Sequence, residues 1–424
     1  MAITGPLSLV ARALQQAPVK WAFVVVALTL TVHFLTKLYR HRKFHRNLPG
    51  PPHSWIWGHL RSIGEVTLKG PPDAAAQTMP LLVKEHYGLG DAFYLDPYPF
   101  AGPLLAVFDP AMMNEMLVKD SQPKDKAVAE FMVWLGGEGN LVSSEAAEWK
   151  KWRSAFNPGF SAAHLMTLVP TIVDECKVFC DIMQKHAKNN DLFRMEQATT
   201  RLTVDIIGKV ILDDTFGSQT GYNELVSAFN SQVQWLYKGV RFQPSELIDF
   251  RRPLILRYNN WRMHRYISKC LDERFATREG RPKSKAVIDL ALTAYEKDIQ
   301  AQGGDVSKVK GVDPAFKTAA ISNVKTFIFA GHDTTSSTIC YAFYYLARSP
   351  EKLAKIRKEH DDVFGPDANL TGEMLTDNAH LLNKLDYTMA VIKEVLRLQP
   401  PASTVRTGKE GYAGHSTNSF LPPH

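Results

Sequence analysis

The residues best suited to chemistry stand at Ala330-Gly331-His332-Asp333-Thr334-Thr335, inside the apolar run from Ile321 to Tyr345. A mid-helix glycine costs about 1 kcal/mol relative to alanine and adjacent threonines are stiff at χ1, so helix propensity alone does not select them. The flanks, KTAAISNVKTFIF before and SSTICYAFYYLARS after, nevertheless place apolar residues at three- and four-residue steps, among them Ile321, Val324, Phe327, Ile328, Ile339, Tyr341, Phe343 and Tyr344. The spacing predicts one long buried helix with a polar, glycine-loosened middle. Glycine would let a ligand approach the backbone, and threonine hydroxyls would take helix carbonyls and open the ladder locally. A buried helix with a tolerated glycine accounts for the same six residues equally well.

A second constellation lies in Leu385-Asp386-Tyr387-Thr388-Met389-Ala390-Val391-Ile392-Lys393-Glu394-Val395-Leu396-Arg397-Leu398-Gln399-Pro400-Pro401. Glu394 and Arg397 are three apart, share a helical face and can pair, and the double proline stops the helix at once. Arg406 follows five residues later. A third is Trp149-Lys150-Lys151-Trp152-Arg153, in which Trp149 and Arg153 share a face at i, i+4. There is no glycine-rich loop followed by Lys-Ser/Thr, no G-x-G-x-x-G and no G-x-S-x-G, and the histidines and cysteines show no zinc spacing. Nucleotide-dependent and zinc-hydrolytic chemistry are thereby excluded.

The elements that must position these residues follow from pattern. Residues Trp21 to Leu35 carry no Lys, Arg, Asp or Glu, and Lys37, Arg40, Arg42, Lys43 and Arg46 follow without a small-residue cleavage site. This reads as an uncleaved signal anchor with the bulk of the chain on the cytoplasmic side. Leu48-Pro49-Gly50-Pro51-Pro52 then reads as a stiff spacer that separates anchor and globular part mechanically. Ala92–Leu95 and Leu104–Phe108 predict two short paired strands, a helix begins near Pro110, and from Ser144 onward the pattern is helical. The fold class is mainly α with a small β part (α+β).

The chain has 424 residues, 45% of them hydrophobic, enough for a large core, and no fixed-period repeat. Its net charge of +7 is dispersed apart from the cluster after the anchor, which argues against nucleic acid as a partner. Four cysteines are too few for a disulfide framework; Cys176 and Cys180, one turn apart, read as buried free thiols facing a reducing compartment.

Taken together, the anchor, the proline spacer, and the Trp149, Ala330–Thr335, Glu394 and Arg406 motifs, in that order, resemble the membrane-anchored microsomal members of the cytochrome P-450 superfamily, which are heme-thiolate monooxygenases. The resemblance runs to about Gly408. It implies that Thr334 holds the iron-bound oxygen species, that Asp333 connects it to a proton supply, and that Gly331 belongs to the cofactor side of the central helix. It further implies that Trp149 and Arg153 reach one heme propionate and Arg406 the other, and that Glu394 and Arg397 form a buried pair fixing the fold around the heme. The implied metal ligand is a cysteine in a Phe/Gly loop beyond the E-x-x-R helix. No cysteine follows Cys340, which lies nearly two turns past Thr334, and Cys176, Cys180 and Cys270 lack that context.

The expectations are therefore these. Residues 1–18 form a lumenal N-terminus, 19–39 a transmembrane anchor, 40–60 a basic and proline-rich linker, 61–408 a partial catalytic domain and 409–424 a disordered or aberrant tail, with the C-terminus truncated. The resemblance implies a single-pass endoplasmic reticulum protein whose cytoplasmic domain hydroxylates a lipophilic small molecule with O2 and electrons from an NADPH-dependent P-450 reductase. The string AGHDTTSSTICYAFYYLARSPEKL is similar to fungal members of specialised (secondary) metabolism. Lys150 and Lys151 are candidates for docking the reductase, and Phe131, Met132, Trp134 and Leu135 for an apolar pocket rim. A non-catalytic, truncated pseudoenzyme that holds no heme is the alternative.

Overall fold

The computed structural model describes residues 6–71, 74, 78–236, 249–278 and 285–409, with side chains from residue 21 onward. The expected tail, 409–424, lies outside the described part except for Lys409, as do the first five residues. The described chain forms two compact units, one reaching to Gln122 and the other running from Pro123 to Lys409.

The first unit begins with helix α1, Pro6–His45, whose stretch from Trp21 is long and apolar enough to cross a membrane and is not buried against protein. Helices α2 (Leu60–Lys69) and α3 (Met79–Tyr87) cover a hairpin of β1 (Ala92–Leu95) and β2 (Leu104–Val107), antiparallel with Phe93 opposite Ala106. Val66, Val83, Phe93, Leu95 and Ala106 make its core, each large side chain contributing about 1.5–3 kcal/mol by leaving water. Short α4 (Pro110–Asn114) starts at the expected proline, capped by Asp109, which accepts the Met112 N–H at 2.7 Å.

The proline stretch is not the free spacer expected from its composition. Pro49 accepts the Tyr94 N–H at 2.7 Å, and Pro52 accepts the Ser62 hydroxyl at 2.9 Å. Proline lacks a donor, but its carbonyl still accepts, so the stretch lies along β1. Arg42, one of the basic residues that follow the apolar run, is 1% exposed against the fully buried Asp96, while Lys37, Arg40, Lys43 and Arg46 stay in solvent. Within residues 40–60, Arg42, His45, Pro51 and His59 are thus buried anchor points, while Trp55, Ile56 and Trp57 stay exposed.

The second unit is helical: α5 (Lys126–Leu135), α6 (Ala146–Phe156), α7 (Ala162–Thr167), α8 (Val169–Asn189), α9 (Met195–Leu212), α10 (Glu224–Leu236), α11 (Arg251–Ala276), α12 (Val287–Ala301), α13 (Pro314–Ala347), α14 (Pro350–Phe364), α15 (Thr371–Asp377) and α16 (Asp386–Leu398). The 34-residue α13 is its axis, started by Asp313, which accepts the Ala315 and Phe316 N–H groups at 2.9 and 3.0 Å, with Pro314 at the first position. Helix α9 lies along it, and α14 and α16 contact its later turns. Ile321, Val324 and Ile328 of α13 meet Ile211, Met263 and Ile288 in one core. The expectation of a helix buried throughout holds only for this first half. Tyr341, Phe343 and Tyr344 are 38%, 54% and 51% exposed, because α9, α14 and α16 leave that face uncovered among the described residues.

Candidate functional site

Helix α13 carries Ala330–Thr335 without interruption of its α-helical pattern, so the ladder does not open as expected. The side chains add bonds to the carbonyls instead of replacing N–H partners. The Thr334 hydroxyl donates to Ala330 O at 2.6 Å, Thr338 donates to Thr334 O at 2.8 Å, and Thr203 of α9 donates to His332 O at 2.9 Å. A row of hydroxyls continues the contact between α9 and α13: Thr199 and Thr200 reach Ser336 Oγ at 2.8 and 3.0 Å. Thr334 and Asp333 are half-exposed, and Asp333 has no ion pair among the described residues.

Gly331 answers to packing. A Cβ there would run into Ile207 of α9, with Cγ1 at 2.6 Å, so the glycine permits the close approach of two helices. The glycine thus has a packing reason on the α9 side of α13. His332, passed over in the sequence, is buried, bonds through Nδ1 to Ile328 O at 2.7 Å and meets the Phe229 ring edge-on; burial pushes its pKa down. Two more residues of α13 escaped notice. Asn323, fully buried, accepts the Leu141 N–H at 2.9 Å and donates to Gly139 O and Ala319 O, pinning the loop before α6. Buried Lys325 donates to Asn260 Oδ1 at 2.5 Å, and burial pulls its pKa down to about 8.

Helix α6 presents Trp152 inward, against Phe156 and Phe316 at ring distances of 5.3 and 5.2 Å, and Phe156 meets Phe327 of α13 at 5.1 Å. Trp149 and Arg153 are consequently together on the outer, exposed face, as their spacing requires. Arg406 is half-buried and bridges Lys124 in an antiparallel pairing. Lys124 in turn donates to Leu141 O and Ser144 O at 3.0 and 2.5 Å, which places Arg406 beside the residues leading into α6. Burial and the Arg406 charge draw the Lys124 pKa down, with Glu145 opposing. Of the two lysines proposed for docking, Lys151 is taken by Asp298 of α12 at 2.6 Å. Met132 and Leu135 belong to the core that α13 shares, Trp134 is exposed, and the Phe131 ring lies 6.3 Å from that of Phe329 of α13. The best-formed cleft, about 400 Å³ between α8 and α9, includes none of the motif residues.

Glu394 and Arg397 pair through two bonds of 2.7 and 2.8 Å, but both are exposed, not buried as the resemblance implied. Their partners in the described chain are each other, so the contact fixes α16 alone.

The axial ligand of a heme-thiolate enzyme is a deprotonated cysteine. The four cysteines are free thiols, Cys180 being exposed where a buried one was expected. Burial pushes Cys176 and Cys270 up to about 11 and raises Cys340 as well, and the Cys340 sulfur sits 3.2 Å from the Thr199 hydroxyl. These four residues do not fit the ligand of the family's heme. Elsewhere in the described chain, His41, His45 and Asp96 bring three donor atoms within 4.8 Å of one another. Arg42 already balances that carboxylate, so the group is an ion-pair cage and not a cation site.

The cytochrome P-450 family model matches residues 48–410. The chain is 39% identical over 407 residues to the cytochrome P-450 monooxygenase polC of Polytolypa hystricis, covering 95% of this chain and 72% of that one. It is 36% identical over 351 residues to the monooxygenase acrF of Aspergillus aculeatus, covering 82% and 68%. A crystal structure of a cytochrome P-450 (CYP102L1) superposes with a TM-score of 0.57 at 22% identity, over 75% of this chain and 68% of that one, which speaks for the fold. An α13 that carries acid and threonine side by side, an E-x-x-R helix against it and these matches have one meaning: the chain belongs to the cytochrome P-450 family of monooxygenases.

Proposed function

We propose that the chain serves as a monooxygenase that hydroxylates a lipophilic small molecule of fungal specialised metabolism, with an NADPH-dependent P-450 reductase as electron donor. The observation that carries this reading is the half-exposed Asp333–Thr334 pair on an otherwise core-forming helix. Oxygen activation is chemistry the family's heme supplies. What these residues contribute is a hydroxyl oriented by Ala330 O and, next to it, a half-exposed carboxylate. Trp149, Arg153 and Arg406 are the assigned propionate partners; the contact of Arg406 with the segment leading into α6 supports treating them as one group. The exposed apolar span of α1 supports anchoring in the endoplasmic reticulum membrane with the rest of the chain cytoplasmic.

The test is a reduced carbon-monoxide difference spectrum of the membrane-bound chain expressed with heme precursor, alongside heme content per protein. A thiolate-type shift near one heme per chain would carry the monooxygenase reading. In a version of the chain that carries a cysteine loop, Thr334→Ala should lower product formed per NADPH by about tenfold; unchanged coupling would remove the role given to Thr334. The four neutral thiols favour a second reading, a non-catalytic anchored protein. Loss of heme on gel filtration with no thiolate-type spectrum would decide for it.

A further inference from the structure

The first unit contains a polar centre unconnected with monooxygenation. Asp96, at the end of β1, is fully buried. Its carboxylate receives Arg42 and His41 from α1, at 2.8 Å for His41 Nε2, and His53 from the proline stretch at 3.0 Å. The Tyr98 N–H donates to it at 3.2 Å. Arg42 also donates to Ile56 O and Tyr98 O at 3.1 and 2.7 Å. His45 bonds back to His41 O at 2.9 Å, and its ring lies 4.2 Å from that of His41. His59 closes the cage: its N–H donates to Asp96 O at 3.0 Å, and its Nδ1 accepts the Asp96 N–H at 3.0 Å.

Two physical points follow. First, an Nδ1 that accepts from an N–H carries no proton, so His59 is neutral here, and a proton placed on Nδ1 would face a donor and break the bond. Second, one carboxylate and one guanidinium already balance. A proton added to His59, whose Nδ1 faces a backbone N–H and not the carboxylate, is an uncompensated charge on a buried side chain, and an uncompensated buried charge is strongly destabilising. The cage joins α1 to β1 across a separation of 54 residues, so what loosens it frees the end of α1.

We propose that Asp96, Arg42 and the histidines around them form an acid-labile joint that fixes the C-terminal end of α1 to β1, and that protonation of His59 opens it. The sign agrees with the electrostatics. Burial, with His53, His45 and Arg42 nearby, pushes His59 from 6.5 down to about 4 against the pull of Asp96. A group whose pKa is lower in the closed state stabilises that state above its open-state value and loses the contribution as pH falls toward the closed-state value. The window is therefore pH 6.5 to 4. Burial raises Asp96, but Arg42, His53 and His41 outweigh it and hold the carboxyl at about 2, so Asp96 stays ionised throughout that window.

The test is hydrogen–deuterium exchange of the full chain in detergent micelles at pH 7 and pH 5, corrected for intrinsic rates, read on the amides of Gly58, His59, Asp96 and Tyr98. His59 alone should raise the open fraction about twentyfold between the two. Residues 199–212 in the second unit, whose α9 carries no such cage, report global unfolding and should not follow. His59→Gln keeps an acceptor for the Asp96 N–H and should reduce the pH response by about tenfold or more; Asp96→Asn should open the joint at pH 7. Exchange independent of pH in the wild type, an undiminished response in His59→Gln, or one equivalent of added Zn²⁺ protecting the segment at pH 7 would each overturn the proposal.

Discussion

Lys325 shows how much a single buried charge matters. Its ammonium is 2% exposed in the first half of α13, with Asn260 Oδ1 as hydrogen-bond partner, and burial lowers its pKa from 10.5 to about 8. At pH 7 the folded chain keeps this lysine charged at a cost of order 3 kcal/mol. The unfolded chain holds its proton up to higher pH, so between pH 8 and 10.5 stability should rise with pH on account of this residue. Lys325→Met should remove that rise, and the difference between wild-type and variant urea midpoints across the window measures it; parallel pH profiles would contradict the assignment. Nothing in the string ISNVKTFIF marked this lysine as internal, since helical periodicity places residues on faces but says nothing about which faces are covered. The motif residues were legible because their types are improbable for a helix. Lys325 and Asn323 were not, because their partners stand 65 and 182 residues away.

At the scale of elements, the contact of α9 with α13 organises the second unit. Its closeness depends on Gly331 against Ile207 and on the Thr203, Thr199 and Ser336 hydroxyls. Gly331→Ala gains about 1 kcal/mol of helix propensity but overpacks the contact by about 1–3 kcal/mol, so a net loss is expected. Adding Ile207→Ala makes room for the new methyl, and the double-mutant cycle should show the two changes coupled favourably. Strict additivity in chemical denaturation would mean that the glycine serves something other than this packing. The glycine itself was visible in the sequence, whereas its reason was not: a residue that admits a ligand and one that admits a neighbouring helix look the same until Ile207 is in place. The E-x-x-R helix teaches the same lesson in reverse, since its pairing followed from spacing but its exposure did not.

For the molecule as a whole, strand positions, the hairpin and the long central helix follow from periodicity and turn residues. The attachment of α1 does not, because it is made by one carboxylate meeting an arginine far upstream. Gly58 is part of it, with a φ of +56° and a position where a Cβ would fall on the Arg42 guanidinium and within 2.8 Å of Asp96 O. Gly58→Ala should therefore open the joint at pH 7, seen as faster exchange at Tyr98 with α13 unchanged; wild-type exchange would show that the turn accommodates the methyl.

The 40-residue α1 is continuous into this cage. A helix of that length is a lever of about 60 Å, and a tilt of about 10° at the cage swings its far end by about 10 Å. A few hydrogen bonds on one carboxylate thereby set an angle that is amplified over the thickness of a bilayer, and with it the height and tilt at which the first unit rides on whatever surface holds the helix.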